Sequence, residues 1–250
     1  MHRYFMEIAY DGRNYHGWQI QPNAKTVQEV LEEALSRLSG SAISVTGCGR
    51  TDTGVHATSF FLHFDMAEKI DDSDKLQYRL NGILPRDIAV YRIFPVAANA
   101  HARFDAISRS YRYLLHQVKN PFLRDRSWYH PVPLDINAMN LACTFLYDYK
   151  DFTSFSKLHT DTKTNDCKII HAGWKYDDNQ LIFEISADRF LRNMVRSIVG
   201  SLTDIGKGRY EASHMKTIIQ AKDRSAAGQS VPAHALYLDR IVYSSSLSDI

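Results

Sequence analysis

The chain has 250 residues, 44% of them hydrophobic and 23% charged, with a formal net charge of +2; a chain of that make-up folds as a globular protein and can bury a large core without metal or disulfide help. Its three cysteines, Cys48, Cys143 and Cys167, are odd in number, far apart and form no Cys-x-x-Cys pair, which argues against a disulfide framework or a cysteine zinc site and fits a reducing cytoplasm. No stretch approaches a membrane span and the first residues lack the apolar core of a signal peptide, while a charge near zero leaves a nucleic-acid partner open, because such binding needs a local basic surface rather than a basic total.

Tyr4, Met6, Ile8 and Tyr10 alternate with Phe5, Glu7 and Ala9, which predicts a half-buried strand ending at Asp11-Gly12. Thr26 and Glu29 form a capping-box pattern before Val27, Val30, Leu31, Ala34, Leu35 and Leu38, and Gly40 suits the helix stop. A strand over Ile43–Cys48, a glycine-punctuated loop, a strand over Thr58–Phe64, a short helix over Ser73–Asn81 and a strand over Ile88–Phe94 complete a first half, residues 1–104. The second half, residues 105–250, opens with a strand over Ser108–Gln117 and a helix that Asp135 can cap. Ile169–Tyr176 and Leu181–Ser186 read as a hairpin around Asp177-Asp178-Asn179. Phe190, Leu191, Met194, Val195, Ile198, Leu202 and Ile205 then predict a helix over Arg189–Ile205, followed by a helix after Glu211 and a last strand over Leu236–Tyr243. Strands and helices interspersed with hairpins argue for an α+β fold with largely antiparallel sheet.

The stretch Gly47 to Ala57, Gly-Cys-Gly-Arg-Thr-Asp-Thr-Gly-Val-His-Ala, stands out. Its glycines let backbone come close to something or take positive φ. Asp52 lies two positions after Arg50 among small residues and donors, Thr51, Thr53, His56 and Ser59. A carboxylate so placed suits a nucleophile or a base kept ionised. On residue chemistry alone a tight turn with a structural Arg50–Asp52 pair weighs more, since charged loop residues are mostly just solvated. A phosphate cradle is weaker again, because the G-x-x-x-x-G-K-[ST] pattern is missing.

Two other stretches invite a nucleic-acid reading. Arg189, Arg192 and Arg196 fall at three- and four-residue spacing off the apolar stripe of their predicted helix. Such a row can meet phosphates or pair with a carboxylate, and a solvated helix face is the more ordinary alternative. Ser108 to Tyr113 puts Tyr111 and Tyr113 on one strand face with Arg109 and Arg112 beside them along the strand, which suits base stacking with phosphate contact and equally suits plain sheet packing. The eleven histidines show no metal-ligand spacing, so His101, His159, His171 and His214 read as surface or hydrogen-bonded core residues. There is no Gly-x-Ser-x-Gly elbow.

Taken together these stretches resemble one family, the TruA-type tRNA pseudouridine synthases. The resemblance runs through Tyr10-Asp11-Gly12-Arg13-Asn14-Tyr15-His16-Gly17-Trp18-Gln19, Gln21-Pro22-Asn23 and Thr26-Val27-Gln28. It continues in Gly49-Arg50-Thr51-Asp52-Thr53-Gly54-Val55-His56-Ala57, then His101-Ala102-Arg103-Phe104 and Ser108-Arg109-Ser110-Tyr111-Arg112-Tyr113. Asp151-Phe152-Thr153-Ser154-Phe155, Phe190-Leu191, Met194-Val195-Arg196 and Pro232-Ala233-His234-Ala235-Leu236-Tyr237-Leu238 follow in order. Thr53 stands where the family usually has Ala, and Ala235 where it usually has Gly. The first should slightly crowd the loop and the second alter backbone geometry, with consequences for substrate range rather than for the catalytic groups.

The resemblance implies the pseudouridine synthase fold, two α+β halves with largely antiparallel sheets joined around a basic cleft, in a homodimeric cytoplasmic enzyme that needs no cofactor and no metal. It implies isomerisation of uridine to pseudouridine in the anticodon stem-loop of tRNA, at positions 38, 39 and 40. By the same carry-over Asp52 is the catalytic carboxylate, Arg196 its opposing charge, Tyr111 a stacking partner for the target base and Arg50 a support for the flipped-out nucleotide. Arg189, Arg192, Arg124, Arg126, Lys207 and Arg209 are candidate phosphate contacts. The rival expectations are a noncatalytic RNA-binding protein on the same scaffold, a phosphate-handling enzyme using the glycine-rich loop, and the same enzyme with shifted uridine specificity.

Overall fold

A computed structural model of the chain describes residues 1–157, 164–177 and 180–244. His159 and the expected turn residues Asp178 and Asn179 lie outside them. In chain order the elements are β1 (His2–Tyr10), α1 (Val27–Ser39), β2 (Val45–Gly47), β3 (His56–Met66), α2 (Ser73–Ile83) and β4 (Ile88–Pro95). They continue with β5 (Ala106–His116), β6 (Trp128–Tyr129), α3 (Ile136–Thr144), β7 (Ile169–Asp177), β8 (Gln180–Ala187), α4 (Met194–Gly206), α5 (His214–Ala221) and β9 (Leu236–Tyr243). The fold is α+β; the pairs β1/β3, β1/β4, β2/β3, β5/β8 and β7/β8 are antiparallel, and β3/β9 and β5/β6 are parallel.

The chain forms two compact units, residues 1–107 with 237–250, and residues 108–236. From the sequence the last strand is expected in the second half. It belongs with the first because His56 and Ala57 of β3 pair in parallel with Tyr237 and Leu238, and the Thr58 hydroxyl bonds the Asp239 carboxylate at 3.0 Å.

In the first unit β3 is the organising strand. One edge pairs with β1 from Ala57 to Met66, and the other is shared by β9 near His56 and β2 near Phe64. The alternation read from the sequence becomes burial: Tyr4, Met6, Ile8, Phe60, Leu62 and Phe64 are all buried. The helix α1 is tied to β2, with Val45 N–H donating to the Glu32 carboxylate at 2.8 Å, and its Val27, Leu31, Ala34 and Leu35 are buried. Its capping box forms as expected, with Glu29 N–H donating to the Thr26 hydroxyl and Thr26 N–H to the Glu29 carboxylate.

In the second unit β8 lies between β5 and β7. Tyr113 and Leu115 of β5 are fully buried, as are Phe183 and Ile185 of β8. The helix α4 is buried on nearly every side, from Met194 to Gly206. It begins five residues later than the apolar periodicity predicts, because Asn193 takes a left-handed conformation with φ 67° and so interrupts helical continuation.

Candidate active site

In the first unit two segments that stand far apart in the sequence form one structure. Thr51 C=O accepts from Trp18 N–H at 3.3 Å, and Gly54 N–H donates to Tyr15 C=O at 3.3 Å. Between them, Val55 N–H closes a turn onto Asp52 C=O at 3.1 Å, with Gly54 at φ 79°. That positive φ is what the third position of such a turn demands. The Thr51 and Tyr10 hydroxyls meet at 2.9 Å inside the protein. The Tyr10–Gln19 segment is therefore the seat of the Asp52 turn.

The seat is itself rigid. Trp18 stacks on Phe60 with ring centres 4.1 Å apart, and both are buried. Tyr15 donates its hydroxyl to Asp87 at 2.6 Å; burial and that carboxylate push its proton affinity well above the usual phenol range. Gly17 has φ 88°, and a Cβ there would come within 2.4 Å of Thr51 C=O. Only glycine meets both conditions. On the far side of the turn His56 is buried, stacks on Tyr237 at 4.5 Å, and accepts at Nδ1 from Gly12 N–H at 3.2 Å. Asp52 itself is half-buried, while Arg50 and Thr53 are exposed. Exposure of Thr53 means that it does not crowd the packed side of the turn.

In the second unit the candidates sit on regular elements. Tyr111 lies on β5 opposite Ile185 of β8, half-buried, with the Phe190 ring edge-on at 5.2 Å. Arg196 lies in the first turn of α4. Its Nε–H donates to Val231 C=O at 2.7 Å, and Val231 N–H returns a bond to Arg196 C=O at 3.3 Å. Ser230 receives Asn193 Nδ2 at 2.6 Å and Arg224 Nη2 at 3.0 Å. Gly228 N–H reaches the Ser201 hydroxyl at 2.9 Å. Residues 228–231 are thus stapled along α4, and the guanidinium plane of Arg196 is set by a backbone carbonyl. Tyr113, next but one to Tyr111, donates to Pro232 C=O at 3.0 Å and is held in the core; burial pushes its hydroxyl far up, against the pull of Arg196.

The expected helical row of Arg189, Arg192 and Arg196 does not form, since the first two precede α4. Lys207 and Arg209 both lie against Asp204, at 3.6 and 2.9 Å. Arg124 and Arg126 are exposed, in the segment after β5. Among the described residues no group of three or more His, Cys, Asp or Glu could hold a metal, and no helix is long and apolar enough to cross a membrane.

Sequence reasoning did not single out the seat formed by Tyr15 and Trp18, the Val231 carbonyl, or Phe190 as the neighbour of Tyr111. Proximity in three dimensions is their signal, and a local window carries none of it.

Comparison with known proteins bears on the family of the chain. A family model described as tRNA pseudouridine synthase matches residues 6–105 and 149–244. The chain is 53% identical over 247 residues to tRNA pseudouridine synthase A of Parabacteroides distasonis, covering 99% of this chain and 98% of that one. It is 50% identical over 250 residues to the protein of that name from Porphyromonas gingivalis, covering 99% of each. Against the one from Exiguobacterium sibiricum it is 38% identical over 250 residues, the whole of both chains. With the family's motifs and the full length of such relatives matched together, the chain belongs to the tRNA pseudouridine synthase family.

Proposed function

We propose that this enzyme isomerises uridine to pseudouridine in the anticodon stem-loop of tRNA, at positions 38, 39 and 40, with Asp52 as its catalytic carboxylate. The observation that carries the reading is the turn holding Asp52, pinned on both sides by backbone bonds to Trp18 and Tyr15. A carboxylate held at the head of such a turn needs little reorganisation before it reacts.

Substrate and product are isomers. The C1′–N1 bond breaks, a C1′–C5 bond forms, the C5 proton leaves and N1 is protonated. Asp52 attacks C1′ or C6, or takes a proton from C2′; all three routes require the carboxylate in its ionised form. Tyr111 stacks on the target base and assists removal of the C5 proton. Arg196, its plane fixed through Val231, supplies the balancing positive charge. A base in a stem must leave the helix before it can react, and exposed Arg50 supports that flipped-out state. The family resemblance adds that the enzyme works as a cytoplasmic homodimer without cofactor.

The test is release of tritium from tRNA carrying C5-tritiated uridine. Wild type should release tritium and Asp52→Asn should not, while both bind tRNA. Release by Asp52→Asn would remove the carboxylate from the mechanism. Release from tRNA lacking uridine at all three positions would mean a shifted specificity.

A further inference from the structure

We propose that Phe104, flanked by His101 and Arg103, is a stacking platform for a nucleobase of the tRNA other than the target uridine. Phe104 is 75% exposed, though Tyr78 at 81% and Phe122 at 88% are no less so. Single apolar side chains at a surface are ordinary and carry no argument by themselves. The loop that holds Phe104 is what sets it apart.

From residue 101 to 105 every backbone N–H has a partner. His101 N–H donates to the Asp105 carboxylate at 2.7 Å, and Ala102 N–H to Nδ1 of His63 at 3.1 Å. The N–H groups of Arg103 and Phe104 both reach Nδ1 of His101, at 3.1 and 3.3 Å. Asp105 N–H returns to His101 C=O at 3.1 Å. The carbonyls are tied as well: Ala102 C=O accepts from the Tyr243 hydroxyl at 2.6 Å, and Ala100 C=O from Arg3 at 2.9 Å. Such a loop has little freedom left, yet it fixes an apolar ring in water. Beside that ring stand the His101 imidazole, with centres 4.2 Å apart, and the Arg103 guanidinium at 5.8 Å.

A preformed aromatic face next to a cation is the arrangement that stacks a base and meets its phosphate. Holding it ready removes the entropic cost of ordering it on binding. The location separates this face from the chemistry. His63, on which the loop rests, is about seven residues beyond His56 on β3, roughly 23 Å at the rise of a strand, and His56 adjoins the Asp52 turn. A tRNA easily spans that interval, so the base received here lies several nucleotides from the reacting one. The inference rests on tRNA as the substrate and is independent of the role given to Asp52.

The experiment measures tRNA affinity and steady-state pseudouridine formation for the full-length protein carrying Phe104→Ala, Phe104→Trp, Asp52→Asn, or Asp52→Asn with Phe104→Ala. Phe104→Ala should weaken tRNA binding on the order of tenfold, the loss of one stack. That loss should appear in KM rather than kcat, with the melting temperature unchanged. Phe104→Trp should restore affinity, and its added emission should be quenched by tRNA. Adding Phe104→Ala to Asp52→Asn should weaken binding by the same factor, so the binding role is read even if no variant makes pseudouridine. Unchanged affinity in Phe104→Ala would overturn the proposal. So would a loss accompanied by a changed sedimentation mass, which would assign the ring to a second copy of the chain, or a loss that Phe104→Trp fails to restore.

Discussion

Arg196 and Val231 hold each other by two hydrogen bonds, Nε–H to carbonyl at 2.7 Å and N–H to carbonyl at 3.3 Å. The first ties a side chain carrying the proposed charge to a backbone segment that has no charge of its own. Replacing Arg196 by Lys keeps the cation and loses both the Nε bond and the planar fork. Turnover should fall by ~10²-fold, the scale seen when one oriented donor is removed, while tRNA affinity changes far less. The segment can also be moved from behind: a Cβ at Gly200 would come within 1.9 Å of Gln229 C=O. Gly200→Ala should therefore cost ~1–3 kcal/mol of stability and reproduce part of the Arg196→Lys defect. Full turnover in both variants would show that the orientation of Arg196 does not matter.

Gly17 makes the corresponding prediction for the Asp52 turn. Alanine there must accept φ 88° and displace Thr51 C=O, two penalties of ~1–3 kcal/mol each. The turn is expected to shift, so kcat should fall by more than the loss of folded protein explains, with tRNA binding kept. Thermal melts run beside single-turnover rates measure the two effects separately. A variant that melts lower but turns over normally at a permissive temperature would show that the seat serves stability alone.

These relationships explain what the sequence could and could not disclose. The capping box of Thr26 and Glu29, and the alternation in β1 and β3, act between near neighbours, so their patterns are legible in a short window. The start of α4 is not. Asn193 abandons the helix while its amide reaches Ser230, 37 positions later, and no apolar periodicity encodes that bond. The same limit applies to the site. Asp52 and Tyr111 were visible as residues in family motifs, whereas the glycine- and aromatic-rich stretch around Trp18 gave no local reason for its composition. The reason is the Thr51 carbonyl, which lies 33 positions away from Trp18 in the sequence.

His63 gives the first unit a defined response to acid. Burial, reinforced by the charges of Arg3 and His101 and opposed by Asp65 and Asp105, lowers its pKa to about 4. Above the unfolded value of ~6.5 both states are neutral and the full stability is present. As pH falls below ~6.5 the unfolded chain takes up the proton first, so stability drains away until the folded histidine protonates near 4. The contribution is on the order of 3 kcal/mol at most. His101 is lowered too, again first by burial, and adds in the same sense. His63→Asn keeps an acceptor for Ala102 N–H and removes the titration. Urea unfolding between pH 4 and 7 should show a shallower loss of stability by about one proton in that variant. An identical slope would mean that His63 does not titrate differently in the two states.

Tyr111 and Phe190 allow stacking and proton transfer to be told apart. The Phe190 edge rests on the Tyr111 ring at 5.2 Å and 90°, a geometry worth ~0.5–1.5 kcal/mol beyond the area it buries. Tyr111→Phe preserves both the ring and its contact with Phe190 and deletes only the hydroxyl. If that hydroxyl helps remove the C5 proton, the rate of product formation should fall by ~10²- to 10⁴-fold, the range of general acid–base assistance. A slowed final step should also raise the kinetic isotope effect with C5-deuterated uridine. Phe190→Ala leaves the hydroxyl and loosens the ring, so its loss should be smaller, of the order of tenfold, with no change in the isotope effect. Should Tyr111→Phe react at the wild-type rate while Phe190→Ala is slow, the tyrosine acts as a stacking surface, and the C5 proton leaves by way of another base.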